Sequence, residues 1–138
     1  MKLTVKNLNF AYEDQKVLHD LSFEIQDGEF VSILGPSGCG KSTLLNVLSG
    51  ILPPQEGQVL IDEAPVKGVD GRFAYMPQND LLFPWKTILD NVCLYGEIHH
   101  RKKEMREEAR AQMARFGLKG CENKYPGELS GGMRQRAA

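Results

Sequence analysis

The sequence predicts an α/β fold: a strand-rich region with an antiparallel β subdomain up to residue 79, then a helical region over residues 80–138. Three observations predict it. Apolar and polar residues alternate near the N-terminus, an apolar run leads into a glycine-rich segment and a helix, and helical periodicity dominates beyond residue 80. The 138 residues suit one domain, and 41% hydrophobic with 25% charged residues is typical of a globular protein.

Five segments of the first region have strand character. Leu3, Val5 and Leu8 mark the first, and residues 21–25 alternate with the period of a half-buried strand. The run Phe-Val-Ser-Ile-Leu at 30–34 is nearly all apolar, which predicts a strand buried on both faces. The two further strand segments are residues 57–62 and 73–76.

Three helices are predicted, with the ranges 43–49, 87–98 and 100–116. The apolar residues of the first cover more than one stripe, so we expect this helix to be buried. Gly50 is predicted to end it, and Gly117 to cap the third helix. The apolar stripe of the third helix consists of Met105, Ala109, Met113 and Phe116.

The charge is nearly balanced, with 17 basic and 18 acidic residues and a net charge of −1, so we predict no nucleic-acid partner. Residues 101–119 hold seven Lys or Arg and three Glu. A solvated helix face with pairs such as Lys103 with Glu107 is favoured there over a nucleic-acid contact. We expect no membrane-spanning helix and no secreted precursor, because the chain lacks both a stretch of about 18 apolar residues and an apolar signal core.

Residues 35–42 match the phosphate-binding pattern G-x-x-x-x-G-K-[ST] in full. In chain order they are Gly35, Pro36, Ser37, Gly38, Cys39, Gly40, Lys41 and Ser42, with Thr43 as a further candidate. Glycines lack a Cβ, so successive backbone N–H groups can line a nest for phosphate oxygens. The following helix adds unsatisfied donors and the positive end of its dipole. A glycine-rich turn that matches by chance is the weaker interpretation, because a predicted strand precedes the pattern and a helix follows it.

Two side chains of this loop have the chemistry of a nucleotide site. Lys41 can place a positive charge on the β- and γ-phosphates of ATP, and Ser42 offers a hydroxyl to Mg²⁺. For Cys39 we favour a small side chain tolerated in the loop, with sensitivity to thiol reagents as the competing hypothesis. The loop alone does not distinguish among kinases, GTPases, helicases and transporter ATPases.

The end of the chain decides among these classes. Residues 129–133 read Leu-Ser-Gly-Gly-Met and resemble the LSGGQ signature of the nucleotide-binding subunits of ABC transporters, with Met133 in place of Gln. The phosphate-facing positions of that signature correspond to Ser130, Gly131 and Gly132. The local similarity over residues 80–92 is to importers of the nitrate, sulfonate and taurine type.

The resemblance implies roles for two more residues. Tyr12, 23 residues before Gly35, matches an aromatic residue that stacks on adenine. Gln78 matches a glutamine that contacts Mg²⁺ and the attacking water. We therefore predict Lys41 and Gln78 as catalytic residues, with Ser42 and Gln78 as metal ligands. Residues 83–92 match the region that meets the membrane subunit.

The resemblance also implies fold, partners and location. Residues 1–79 are expected to form a P-loop NTPase core of the ABC type with its antiparallel β subdomain, and residues 80–138 a helical subdomain that ends at the signature. ATP and Mg²⁺ are the expected cofactors. The expected partners are a membrane-spanning permease subunit and a second nucleotide-binding subunit in a head-to-tail dimer. The expected place is cytoplasmic, peripheral on the inner face of the cell membrane, where ATP hydrolysis drives solute import.

The family places a metal-binding Asp, a catalytic Glu and a switch His after the signature, beyond Ala138. We therefore expect a domain that is incomplete at its C-terminus, inactive or weakly active alone. Two alternatives stay open: a non-catalytic nucleotide-binding regulatory or interaction fragment, and a soluble ABC-type ATPase not engaged in transport.

Overall fold

The computed structural model describes the backbone of residues 1–138 and every side chain except those of Lys102 and Lys103. The predicted Lys103–Glu107 pair therefore lies outside the described residues. The chain forms two compact units, Met1–Tyr75 and Met76–Ala138, and each is described by itself. The sequence-based division after residue 79 stays a prediction.

The first unit is an antiparallel sheet with one helix. Its elements are β1 (Leu3–Tyr12), β2 (Gln15–Ile25), α1 (Lys41–Leu48), β3 (Glu56–Ile61) and β4 (Ala64–Pro65). The strands are ordered β2-β1-β3-β4, and each pairs with its neighbour in antiparallel register. Leu8 of β1, Val47 of α1 and Ile61 of β3 are fully buried in one apolar cluster, which packs the helix against the sheet.

Three of the five predicted strand segments and the first predicted helix are confirmed. Residues 3–8, 21–25 and 57–62 correspond to β1, β2 and β3, and residues 43–49 to α1. Gly50 follows the end of α1 with φ +76°, and its N–H donates to the Val47 carbonyl at 3.1 Å. This left-handed position is the one for which glycine is preferred after a helix.

The predicted strands at 30–34 and 73–76 are wrong. Neither segment is among the four paired strands of this unit. Phe30 is 94% exposed and Leu34 is 90% exposed, the opposite of a strand buried on both faces. An apolar run becomes a strand only when neighbouring strands satisfy its backbone donors and acceptors, and these two segments are not so paired.

The second unit is helical. Its helices are α2 (Ile88–Val92), α3 (Leu94–Ile98), α4 (Lys102–Arg115) and α5 (Gly131–Ala137), with a 3₁₀ turn at Pro126–Glu128 before α5. Its most deeply buried apolar side chains are those of Ile88, Leu89, Cys93, Met113 and Leu118.

The prediction of one helix over 87–98 is wrong because the chain turns at Cys93, which ends α2 and begins α3. The turn brings α3 against α4 at a glycine. A Cβ at Gly96 would lie only 2.6 Å from the Met105 sulfur. The break therefore permits a close approach that a straight helix with larger residues would prevent.

The predicted stripe of α4 is correct at Ala109 and Met113, which are buried, and wrong at Phe116, which is 56% exposed. The helix ends before Phe116 takes its place on the stripe. Gly117, at φ +71°, begins the turn out of the helix, and Leu118 N–H donates to the Met113 carbonyl at 2.8 Å. This Schellman turn buries Leu118 instead of Phe116 and confirms the predicted glycine cap.

Candidate nucleotide-binding site

The glycine-rich loop requires glycine for two reasons. Gly38 and Gly40 have φ values of +82° and +98°, in the region that side chains with a Cβ disfavour. Gly40 also lies against β2, where a Cβ would stand 2.8 Å from Val17 Cγ1 and 3.3 Å from Leu18 Cδ2. The loop is therefore seated on the sheet at its last glycine, directly before α1.

α1 begins without a side-chain cap. Its N-cap residue is Gly40, whose carbonyl accepts the first helical hydrogen bond from Leu44 N–H at 2.8 Å. As a glycine, Gly40 has no side chain that could accept from the amides of Lys41, Ser42 and Thr43 at the first turn. Such amides, with the positive end of the helix dipole, bind anions.

The Lys41 ammonium lies over the loop rather than pointing away from it. Nζ donates to the carbonyl oxygens of Gly35 at 2.8 Å and Pro36 at 2.7 Å, and lies 3.5 Å from Cys39 Sγ. A compact positive charge is thus held within the same nine residues as the helix amides. These groups together fit a phosphate chain in charge and hydrogen-bonding character.

The Cys39 side chain packs back on the start of the loop. A Cβ at Gly35 would lie 2.7 Å from Cys39 Sγ, so the first glycine leaves room for the thiol. Ser37 and Ser42 are exposed, whereas Thr43, in the first turn of α1, is buried. The hydroxyls of Ser37 and Ser42 are therefore open to a ligand.

Tyr12 lies at the end of β1 in the same unit as the loop. Its ring is 48% exposed and packs edge-on against Phe10, with 5.0 Å between centroids. Phe10 is paired with Leu18, one of the two residues of β2 that approach Gly40. The hairpin that carries Tyr12 is thus the one on which the loop is seated.

The other predicted site residues belong to the second unit. Gln78 is exposed, in the segment before α2. Ser130 begins α5, and its Oγ accepts from Met133 N–H at 3.4 Å, while Gly131 and Gly132 are exposed. Met133 packs against the buried cluster of this unit, which explains an apolar side chain in place of Gln. The paired metal role of Ser42 and Gln78 stays a prediction.

An ion pair that sequence reasoning missed joins the two ends of the second unit. Arg134 Nε donates to Asp80 Oδ2 at 2.8 Å, and its Nη1 donates to the Leu129 carbonyl at 3.0 Å. The bond from Arg134 holds the pKa of Asp80 below its usual value, and a second bond from Leu82 N–H adds to this effect. The partners are 54 residues apart, so no local spacing pattern could have indicated them.

A second missed arrangement holds the loop before α2. The Asn91 side chain accepts from Phe83 N–H at 2.7 Å and donates to three carbonyls of the same loop. Trp85, in this loop, is 70% exposed, and its ring lies 5.1 Å from that of Phe83. Asn91 thus fixes a segment that presents a large aromatic surface to solvent.

Comparison with known proteins finds relatives among ATP-binding proteins of ABC transporters. An uncharacterised ABC transporter ATP-binding protein of Bacillus subtilis is 46% identical over 91% of this chain and 49% of its own length. A formylaminopyrimidine import ATP-binding protein of Halalkalibacterium halodurans is 45% identical over 99% of this chain and 53% of its own length. The chain therefore spans about half the length of the curated relatives it matches.

Among solved structures, a dimeric ATP-binding cassette in a post-hydrolysis state, bound to ADP and Pi, superposes with a TM-score of 0.84 at 32% identity. The match covers 98% of this chain and 66% of that one. The predicted fold class is confirmed by this likeness. Within the described residues, no helix is both long enough and apolar enough to span a bilayer. The sequence model of the ABC transporter family matches residues 18–138, and the chain accordingly belongs to that family.

Proposed function

We propose that the chain is the nucleotide-binding part of an ATP-binding subunit that drives solute import across a membrane. The observation that carries the proposal is the loop at residues 35–42, where the Lys41 ammonium and an uncapped helix start converge. Relatives described as import ATP-binding proteins, for formylaminopyrimidine and for taurine, support import as the process.

In this proposal the backbone amides of the loop and of Thr43, together with the Lys41 ammonium, hold the phosphates, and Tyr12 stacks on the base. Ser42 and Gln78 would be the ligands for Mg²⁺. Bound ATP and Mg²⁺ would supply the transferable phosphoryl group and a divalent charge. The residues of the chain bind and orient them, which is most of what phosphoryl transfer requires of a protein.

The signature residues serve a second subunit. Ser130, Gly131 and Gly132 would close over the phosphates bound by the loop of a partner copy in a head-to-tail pair. The solved relative is described as dimeric, which supports this arrangement. Because the family's metal-binding Asp, catalytic Glu and switch His are not assigned among these 138 residues, we expect this chain alone to hydrolyse ATP slowly or not at all.

The permease partner would meet the loop that Asn91 holds. Leu81 and Trp85 are 69% and 70% exposed there, and an exposed apolar patch of this kind is typical of a protein–protein contact. The place of action would be cytoplasmic, on the inner face of the cell membrane. If so, Trp85→Ala reduces co-purification with the permease, whereas Tyr125→Ala, an exposed aromatic residue of the same unit, does not.

The test of nucleotide binding is Lys41→Ala, measured by isothermal titration with ATP and Mg²⁺. Loss of a charge-assisted contact is expected to weaken binding by roughly 10- to 100-fold. Lys6→Ala, which removes the same charge from an exposed position on β1, is the matched control. Equal affinities for the two variants would contradict the proposed site.

A further inference from the structure

The end of β1 lacks a backbone partner on the side of β3. The pairing of β1 with β3 stops at Asn9 and Glu56. Two further residues in this register would place Ala11 opposite Pro54. Proline has no N–H, so the strand cannot provide a donor for the Ala11 carbonyl at this point.

The Gln55 side chain takes the place of that missing partner. Its Oε1 accepts from Ala11 N–H at 2.7 Å, and its Nε2 donates to the Ala11 carbonyl at 2.9 Å. A carboxamide has the same donor and acceptor as a peptide group, so it can replace one backbone hydrogen-bonding partner at the edge of the sheet. The two hydrogen bonds join residues that are 44 positions apart in the sequence.

Ala11 is the residue directly before Tyr12, and the other edge of Ala11 is paired with Lys16 of β2. The backbone that carries the Tyr12 ring is thus held from both sides, once by a strand and once by Gln55. Phe10 supports the same ring by its edge-on contact. Without Gln55, Ala11 loses two hydrogen bonds and keeps its pairing with Lys16.

We propose that Gln55 is a positioning residue for the base of the bound nucleotide, acting through Tyr12. The inference rests on the proposed function, because it takes Tyr12 as the ring that stacks on adenine. Gln55 contacts β1, whereas the phosphate loop is seated on Val17 and Leu18 of β2. Loss of Gln55 therefore weakens binding of the base and leaves binding of the phosphates unchanged.

The test compares two ligands, ATP and inorganic tripolyphosphate, each with Mg²⁺, because only ATP carries a base. Gln55→Met keeps the length of the side chain and removes both hydrogen bonds. We expect it to raise the Kd for ATP by roughly three- to tenfold, with the Kd for tripolyphosphate unchanged. Gln58→Met makes the same change at an exposed position of β3 and is expected to alter neither value.

A double-mutant cycle with Tyr12→Ala identifies the route of the effect. If Gln55 acts through the ring, Gln55→Met has no further effect on ATP binding once Tyr12 is alanine. An equal loss of affinity for both ligands, or an undiminished effect in the Tyr12→Ala background, would overturn the inference. If Tyr12→Ala itself spares the affinity for ATP, the stacking role fails and the inference fails with it. If the wild-type chain binds neither ligand, the nucleotide site itself is refuted.

Discussion

Replacing Asn91 with alanine removes the side chain that holds the loop around Trp85. Its Oδ1 accepts from Phe83 N–H at 2.7 Å. Its Nδ2 lies 3.2, 3.1 and 3.0 Å from the carbonyl oxygens of Phe83, Lys86 and Thr87. One amide donor and three carbonyl acceptors lose their shared partner in the variant.

The expected loss of folding stability follows from these contacts. A net hydrogen bond contributes about 0.5–1.5 kcal/mol, and a partner left unsatisfied in a half-buried place adds to the loss. Because two N–H groups serve three carbonyls, the donations count as about two bonds rather than three. We expect the free energy of unfolding of the second unit to fall by about 2–3 kcal/mol.

The assay is urea unfolding followed by tryptophan fluorescence. Trp85 is the only tryptophan of the chain and lies in the loop concerned, so the signal reports on the right segment. Asn123→Ala removes an exposed side chain of the same unit and is expected to change stability by less than about 0.5 kcal/mol. A loss for Asn91→Ala no larger than that of the control would refute the reasoning.

Three further predictions concern other parts of the chain. Because Arg134 holds the pKa of Asp80 below its usual 3.8, the carboxylate stabilises the fold at neutral pH and loses this contribution as the pH falls through the lowered value. The difference in Tm between the wild type and Asp80→Asn, measured by circular dichroism, therefore shrinks with acidification; a constant difference would contradict it. Gly40→Ala, which adds a Cβ at φ +98° and 2.8 Å from Val17 Cγ1, is expected to lower both Tm and ATP affinity, and unchanged values would count against the loop geometry. Met113→Ala leaves a cavity in the second unit and should cost about 2–5 kcal/mol of unfolding free energy in urea, whereas a cost near zero would mean that the site collapses fully.

Elements with local signals could be predicted from the sequence. Gly50 and Gly117 end their helices because a left-handed residue is needed there, and glycine supplies it wherever the helix lies. The signal of the glycine-rich loop at 35–42 is equally local, because its glycines, its lysine and the helix start fall within nine residues. The alternation of apolar and polar residues in β1 and β2 is also a local signal, because it depends only on which face of its own strand each side chain occupies.

The features that escaped prediction depend on distant partners. The run at 30–34 has the composition of a strand but lacks the paired neighbours that would make it one. The turn at Cys93 accompanies a close approach of Gly96 to Met105 on another helix, a partner that the local sequence pattern does not indicate. Gln55 contacts Ala11 through a side chain that imitates a strand, and no periodicity in the sequence marks such a contact.

The guanidinium of Arg134 has a consequence for how the second unit opens. It donates hydrogen bonds to the carboxylate of Asp80, near the start of the unit, and to the carbonyl of Leu129, just before α5. Amide hydrogens in these two stretches should therefore exchange with solvent deuterium at matched rates, as a single foldon rather than as two fraying ends. A unit whose two ends are joined to each other in this way loses both in one opening event.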